Sequence, residues 1–241
     1  RGMSMETLTH QAGRRRFLTG KPPSGILARG SSISSVLGAQ FGPVSPILNL
    51  SGQVESFNVD QPNYTTALTV ASVEDLLRAL RAGSVSMEEL QAEQIEALLS
   101  AFQDCTRDRR SQQRMLAHDT RTAASDLVTA QLDRYFDFTA NTTDMAEIRA
   151  RYGIGNQLDT AGANAAMAVA AITNGISRCV SIQVASGLDT HYDNWTDEQG
   201  PRQQSGFDLV ATIIEDLASK PYKGSSSESW LDHTTIVGFS E

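Results

Sequence analysis

The last part of the chain, residues 153–241, alternates helical and apolar extended segments, and this alternation restricts the folds open to it. The predicted elements are a small-residue helix over Ala161–Asn174, a strand over Cys179–Val184, an amphipathic helix over Gln203–Ala218 and a strand over Thr234–Phe239. Short apolar strands separated by helices are typical of a parallel sheet with helices on both faces. The sequence therefore predicts an α/β fold with a mostly parallel sheet flanked by helices.

A long helical block, residues 72–152, precedes this αβαβ segment. Ser72 is suited to start a helix that runs to Ala82, and Ser86 with Glu89 forms a capping box that satisfies two exposed amides. Helical composition continues through residue 104, from 108 to 138 and from 143 to 152. We predict a single α/β domain over residues 1–241, with the block as a helical insertion or cap subdomain. Its aliphatic stripe could equally mark an interface with another subunit.

The beginning of the chain is predicted to hold two helices and a strand. The first helix covers Met3–Thr19, with Thr7 or Thr9 available as its N-cap. The stretch that follows is rich in Gly, Pro and Ser. Within it we predict a short helix around Ser34–Phe41 and a short strand near Ile47–Leu50.

The composition is that of an acidic globular protein, with 40% apolar residues, 20% charged residues and a formal net charge of -8. Because proteins that bind a nucleic-acid backbone need a basic face, this charge disfavours nucleic acid as a partner. The longest apolar run, 165–172, is much shorter than the roughly 20 residues that cross a bilayer, so no membrane span is predicted. Cys105 and Cys179 lie far apart and indicate neither a disulfide framework nor a zinc ribbon.

The chain begins without an initiator Met and ends at Glu241 directly after a predicted strand, so we interpret it as a fragment of a longer protein. The run Arg14–Leu18 looks like a twin-arginine signal, but a turn follows it instead of an apolar stretch of about 7 to 15 residues. We therefore expect no signal in this fragment. An export signal could lie upstream of it.

Three side chains could ligate a metal. Asp189 and His191 follow the strand that ends near Val184 and are two residues apart, which places them on one side of an extended backbone. A carboxylate with a neutral imidazole suits zinc, manganese or a similar divalent metal. Glu241, directly after the predicted last strand, is the third candidate. Alternatively, Asp189 only hydrogen-bonds His191 in a loop, and Glu241 is an ordinary polar strand end.

The segments Gly187–His191 and Leu231–Glu241 resemble a bacterial family of unknown function, family fifteen-oh-one, in which an Asp-Thr-His element pairs with a later strand ending in Ser-Glu-Phe-Gly-Arg. That family belongs to the alkaline-phosphatase-like superfamily, with sulfatases and cofactor-independent phosphoglycerate mutases. The resemblance implies that Asp189 and His191 form one metal-ligand pair, and that Glu241 stands where relatives carry the Asp of an Asp-His pair. The strand that supplies the first acidic ligand in relatives is absent from this sequence.

A second resemblance concerns the nucleophile. Phe17–Gly25 is similar to the segment that follows the catalytic Thr or Ser of phosphodiesterase-like relatives, which places the nucleophile near Thr9 or His10. A nucleophile at the start of a helix benefits from free amides that stabilise an anionic group. Thr9 could equally be a plain N-cap, and His10 could be a ligand, a base or an ordinary polar residue.

These observations favour a metal-dependent hydrolase of phosphate or sulfate esters, with a small-molecule ester as substrate. The family resemblance implies that the full-length protein is exported to the periplasm or cell exterior. A non-catalytic exported binding or assembly protein that retains the fold is the alternative. A third possibility is a structural metal that only fixes the loop of Asp189.

Overall fold

The computed structural model describes residues 9–25, 27–81, 126–189 and 195–239, together with residues 91, 94, 95, 97–99, 101 and 124. The chain has an α/β fold with a small parallel sheet. Among the described residues, no helix combines the length and apolar character needed to cross a membrane.

Two helices precede the sheet in the chain. Helix α1, His10–Thr19, is capped by Thr9, whose side-chain oxygen accepts a hydrogen bond from the Ala12 amide at 3.3 Å. Thr9, one of the two predicted N-caps, is thereby confirmed, whereas the predicted start of this helix at Met3 is wrong, since Thr9 has an extended backbone. The helix ends at Gly20 in the left-handed conformation, which glycine adopts without a steric penalty. Helix α2, Ile33–Phe41, lies within one residue of its prediction.

The sheet has three strands, β1 over Asn49–Gly52, β2 over Leu68–Val70 and β3 over Cys179–Ile182. Their order is β2-β1-β3, and both neighbours run parallel to β1. All four residues of the central strand are buried, as expected for a parallel strand covered on both faces. The predicted β1 and β3 are confirmed with shifts of about two residues, whereas β2 was not predicted because it has only three residues.

Four further helices follow: α3 over Val73–Leu80, α4 over Thr143–Tyr152, α5 over Ala161–Thr173 and α6 over Gly200–Ser219. Helix α5 is buried along most of its length and packs against the sheet. Gly52, at the end of β1, permits this approach, because a Cβ at that position would lie 2.8 Å from Met167 Cε. The glycine at the end of β1 thus lets α5 lie close to the carboxyl end of the central strand.

The chain divides into two compact units. The first comprises Arg1–Leu76 and Tyr135–Glu241 and contains the sheet. The second comprises Leu77–Arg134, where Leu80 is buried and Arg81 Nε donates to Asp133 Oδ2 at 3.2 Å. The helical insertion over residues 72–152 stays a prediction, since residues 82–90 and 102–123, including the capping box, lie outside the described part of the chain.

Two predicted elements are wrong. Thr234–Phe239 does not form a strand, although its composition is strand-like. A strand needs a neighbour for its hydrogen bonds, and here Val237 is 71% exposed while Phe239 stacks on Phe17 of α1, with ring centroids 3.7 Å apart. The helix predicted to reach Phe138 stops earlier, because Gln131 adopts a φ of 49° and a 3-10 turn follows.

Candidate functional site

The carboxyl edge of the sheet is the place to look for chemistry, because ligands of open parallel sheets bind beyond the ends of the strands. Helix α1 contacts the segments that follow two of these strands. After β1, Glu55 Oε1 lies 3.4 Å from Arg15 Nη2. After β3, Asp189 Oδ2 lies 3.2 Å from His10 Nε2. Both contacts belong to the first unit, and together they hold α1 at this edge.

The His10–Asp189 pair joins two residues that are far apart in the sequence and that the sequence singles out for different reasons. Their side chains are 51% and 48% exposed, so both stay accessible to a dissolved ligand. An ion pair this exposed stabilises a fold by only about 0–1 kcal/mol. The contact between His10 and Asp189 therefore contributes little to the stability of the fold. An accessible imidazole and carboxylate can instead share a proton or bind one cation.

The loop that carries Asp189 is supported by α6. Gly187 adopts a φ of 66°, and its carbonyl accepts a hydrogen bond from Arg202 Nη1. Arg202 is itself paired with Glu198 Oε2 at 3.2 Å. Gly206 lets the helix approach the chain closely, since a Cβ there would lie 3.0 Å from the Cβ of Ala185. Arg202 and Gly206 thus fix the loop two to four residues before Asp189.

His10 is positioned by the first turn of α1. The Thr9 hydroxyl oxygen caps the helix by accepting from the Ala12 amide, which leaves the hydroxyl proton free to be donated. The Gly13 amide donates to the Thr9 carbonyl at 3.0 Å and closes this turn. The structure therefore shows the capping role of Thr9, and its role as a nucleophile stays a prediction.

Three further residues, which no motif of the sequence marks, also lie at this edge: Gln53, Arg15 and Glu55. Gln53 has a φ of 62°, which is unfavourable for a residue with a side chain, and its amide Nε2 donates to the Ala71 carbonyl at 3.0 Å. In the described part of the chain, Arg15 Nε and Glu55 Oε2 are buried without a hydrogen-bond partner. The sequence feature that could have indicated Glu55 is its position as an acidic residue a few positions after a predicted strand.

Of the three predicted metal ligands, only Asp189 lies among the described residues; His191 and Glu241 lie outside them. Glu241 was predicted to follow a strand over Thr234–Phe239, and that strand does not form. No group of three or more His, Cys, Asp or Glu side chains that could hold a metal is found in the described ranges. His10, predicted as a catalytic residue, is the side chain that the structure brings to Asp189.

The His10–Asp189 pair fits two ligands of one divalent ion. Imidazole nitrogen and carboxylate oxygen are both common zinc ligands, at about 2.0–2.2 Å from the metal. Two such atoms on one ion stand roughly 3 Å apart, and the observed separation is 3.2 Å.

Cys179 does not suit a reactive thiolate, because burial raises the pKa of its thiol.

Comparisons with protein-family models, with curated proteins and with solved structures find no match for this chain. The resemblance to family fifteen-oh-one therefore stays a prediction.

Proposed function

We propose that this chain carries part of the active site of a metal-dependent hydrolase of phosphate or sulfate esters, in an alkaline-phosphatase-like protein that is exported when full length. The observation that carries the proposal is the contact between His10 and Asp189 at the carboxyl edge of a parallel sheet. Such an edge is where α/β enzymes bind their ligands. The substrate would be a small-molecule ester.

In this proposal His10 and Asp189 hold the divalent ion, zinc, manganese or a similar metal, and His191 and Glu241 are the further ligands predicted from the sequence. A divalent ion there would supply positive charge for the oxygens of the ester group. Arg202 holds the carbonyl of Gly187, two residues before Asp189, so the loop that carries this carboxylate is supported in the absence of a metal. Preformed ligands lower the entropic cost of binding the ion.

Thr9 is the candidate nucleophile. It precedes His10 at the start of α1, where the first amides of the helix point towards an incoming anion. The Thr9 oxygen accepts one hydrogen bond and keeps its proton, so a base could still remove that proton. A phosphoryl or sulfuryl group at this helix start would meet both the Thr9 hydroxyl and the positive end of the helix dipole.

The test is metal content combined with ester hydrolysis, measured on this chain and on a version extended in both directions. We expect about one bound divalent ion per site by elemental analysis, and turnover of aryl phosphate or aryl sulfate. The double variant His10→Ala, Asp189→Ala should lose both. The matched control is Glu228→Ala, His233→Ala, which removes another exposed His–carboxylate pair with a 3.3 Å separation.

If neither protein retains metal after supplementation with zinc and manganese, the proposal fails and the non-catalytic binding role becomes the better hypothesis. If the control variant loses metal as fully as the His10 and Asp189 variant, the ion is bound elsewhere. Retained metal with no hydrolysis of either ester class would point to a structural ion.

A further inference from the structure

Helix α2 has its apolar side outwards. The residues it buries are Ser34, Ser35 and Gly38. The large apolar side chains on its other side are exposed: Ile33 by 62%, Val36 by 38%, Leu37 by 41% and Phe41 by 51%. A surface helix of a globular protein normally does the reverse, placing its apolar stripe against the core. We call the four exposed side chains the α2 stripe.

The polar side of α2 is held inwards by specific contacts. Asn49 Nδ2, on the buried central strand, donates to Ser34 Oγ at 3.1 Å and to Ser35 Oγ at 3.4 Å. Ser35 Oγ donates to the Phe57 carbonyl at 3.3 Å. Gly38 lies against Leu48, where a Cβ would come within 3.0 Å of its side chain. The helix cannot rotate to bury the stripe without breaking these hydrogen bonds inside the protein.

The stripe has the spacing and size of an interaction surface. Its members follow the i, i+3, i+4, i+8 pattern, which puts them on one face of the helix. Partly exposed side chains of this size form a patch of several hundred Å², roughly the size at which exposed apolar patches mark interaction sites. Val44, 54% exposed, lies beyond the end of the helix and adds to the apolar surface near it.

The charge of the surrounding sequence indicates what covers the stripe. No charged residue stands between Arg29 and Glu55, although the chain is 20% charged and carries a formal net charge of -8. Near the start of α2, Asp60 accepts from Ser31 Oγ at 2.6 Å and lies 3.7 Å from Lys21 Nζ, so these two charges largely offset each other and neither belongs to the stripe. An amphipathic helix that binds a membrane surface normally carries Lys or Arg on its polar face, and α2 has neither. Two copies of this chain, in contrast, can meet at a neutral surface without like-charge repulsion.

We propose that the α2 stripe is the interface of a homodimer, in which α2 of one copy packs against α2 of the second about a two-fold axis. A two-fold interface must be complementary to itself, and an uncharged apolar stripe meets this condition. Gln40 is exposed on the same face, seven residues after Ile33. Its amide is both donor and acceptor, so two Gln40 side chains can hydrogen-bond each other across the axis.

The experiment is sedimentation velocity and light scattering on the full chain over a concentration series. The wild type is expected at twice the 26.0 kDa of one chain. Phe41→Glu should raise the dissociation constant by at least about 30-fold, because a buried aromatic contact is replaced by two like charges across the axis. The matched control is Phe207→Glu, which places the same charge on an exposed phenylalanine of α6, 69% exposed. That variant should remain dimeric.

A second measurement locates the axis. Gln40→Cys should give a disulfide-linked dimer under mild oxidation, beyond what the wild type with Cys105 and Cys179 gives, and adding Phe41→Glu should abolish it. A wild type that stays monomeric at all concentrations overturns the proposal. A dimer that Phe41→Glu leaves intact also overturns it, whether or not Phe207→Glu breaks that dimer. Circular dichroism confirms that each variant is folded, which is expected because both phenylalanines are exposed.

Discussion

Replacing Asp216 by Asn should destabilise the first unit measurably, because this carboxylate accepts from three donors while buried. Asp216 lies on α6 and is 2% exposed. Its Oδ1 accepts from Arg151 Nη1 and Lys220 Nζ, and its Oδ2 accepts from the Tyr152 hydroxyl at 2.8 Å. Arg151 and Tyr152 end α4, so the carboxylate joins two helices.

The magnitude follows from the burial of each partner. Removing one member of a fully buried ion pair costs about 3–5 kcal/mol, since the other charge is left without solvent. Here Arg151 and Lys220 are 43% and 39% exposed, so water can solvate both after the change. Asn can still accept the hydrogen bond from Tyr152. We therefore expect a loss of about 2–3 kcal/mol, which corresponds to a melting temperature lower by roughly 4–12 °C for a chain of this length.

Urea unfolding at pH 7, followed by circular dichroism, measures this loss directly. The control is Asp208→Asn, which removes an exposed carboxylate from the same helix, where Asp208 accepts from Gln204 Nε2 at 2.7 Å. It should change the free energy of unfolding by less than about 0.5 kcal/mol. Equal effects of the two substitutions would refute the reasoning, because burial would then not decide the contribution of a carboxylate.

Three further predictions concern stability and the candidate site. Burial and the neighbouring Asp216 raise the pKa of Tyr152 above its ordinary value, so the folded state keeps this phenol protonated. The stabilisation that the protonated Tyr152 contributes should be complete below about pH 10 and should decline as the pH rises further, because the unfolded chain then releases its phenol proton. The free energy of unfolding of Tyr152→Phe, measured between pH 8 and 11, should lack this part of the decline. Asn164 is fully buried, and neither polar atom of its side-chain amide has a hydrogen-bond partner in the described ranges. Asn164→Ala should therefore raise the free energy of unfolding by about 1 kcal/mol in the same urea assay. A decrease of more than about 1 kcal/mol would show that the amide is hydrogen-bonded. Arg202 supports the Asp189 loop through a hydrogen bond to one carbonyl, that of Gly187. Arg202→Ala should therefore weaken zinc binding about tenfold in a titration and shift the melting temperature by less than about 2 °C. An unchanged zinc affinity would show that Arg202 does not support the site.

Local patterns were sufficient where an element is set by its own sequence. Helix α5 was predicted over Ala161–Asn174 and is observed over Ala161–Thr173, with the Thr160 side chain accepting from the Ala163 amide as its cap. The segment Thr234–Phe239 shows the limit of such patterns. Its residues favour a strand, but sheet membership depends on a neighbour elsewhere in the chain, and Phe239 packs on α1 instead.

The candidate site divides in the same way. Asp189 could be predicted, because an acid beside a histidine after a strand is a local pattern. His10 entered only through the resemblance of the segment that follows it. Their contact could not be predicted from local patterns, since it depends on α1 lying at the carboxyl edge, which the Arg15–Glu55 contact also requires. The orientation of α2, with its apolar side towards solvent, could not be predicted either, because it depends on hydrogen bonds to Asn49 of the sheet.

Burial separates two kinds of carboxylate in this chain. Asp216 is almost completely buried and accepts from three donors, an arrangement that stabilises two helices and leaves no approach for a ligand. Asp189 is about half exposed, and its contact with His10 contributes little to stability. A carboxylate that is fixed by its loop and still open to solvent can exchange a protein partner for a ligand. This difference in burial, more than the residue types alone, makes Asp189 and His10 the place to test for metal and for ester hydrolysis.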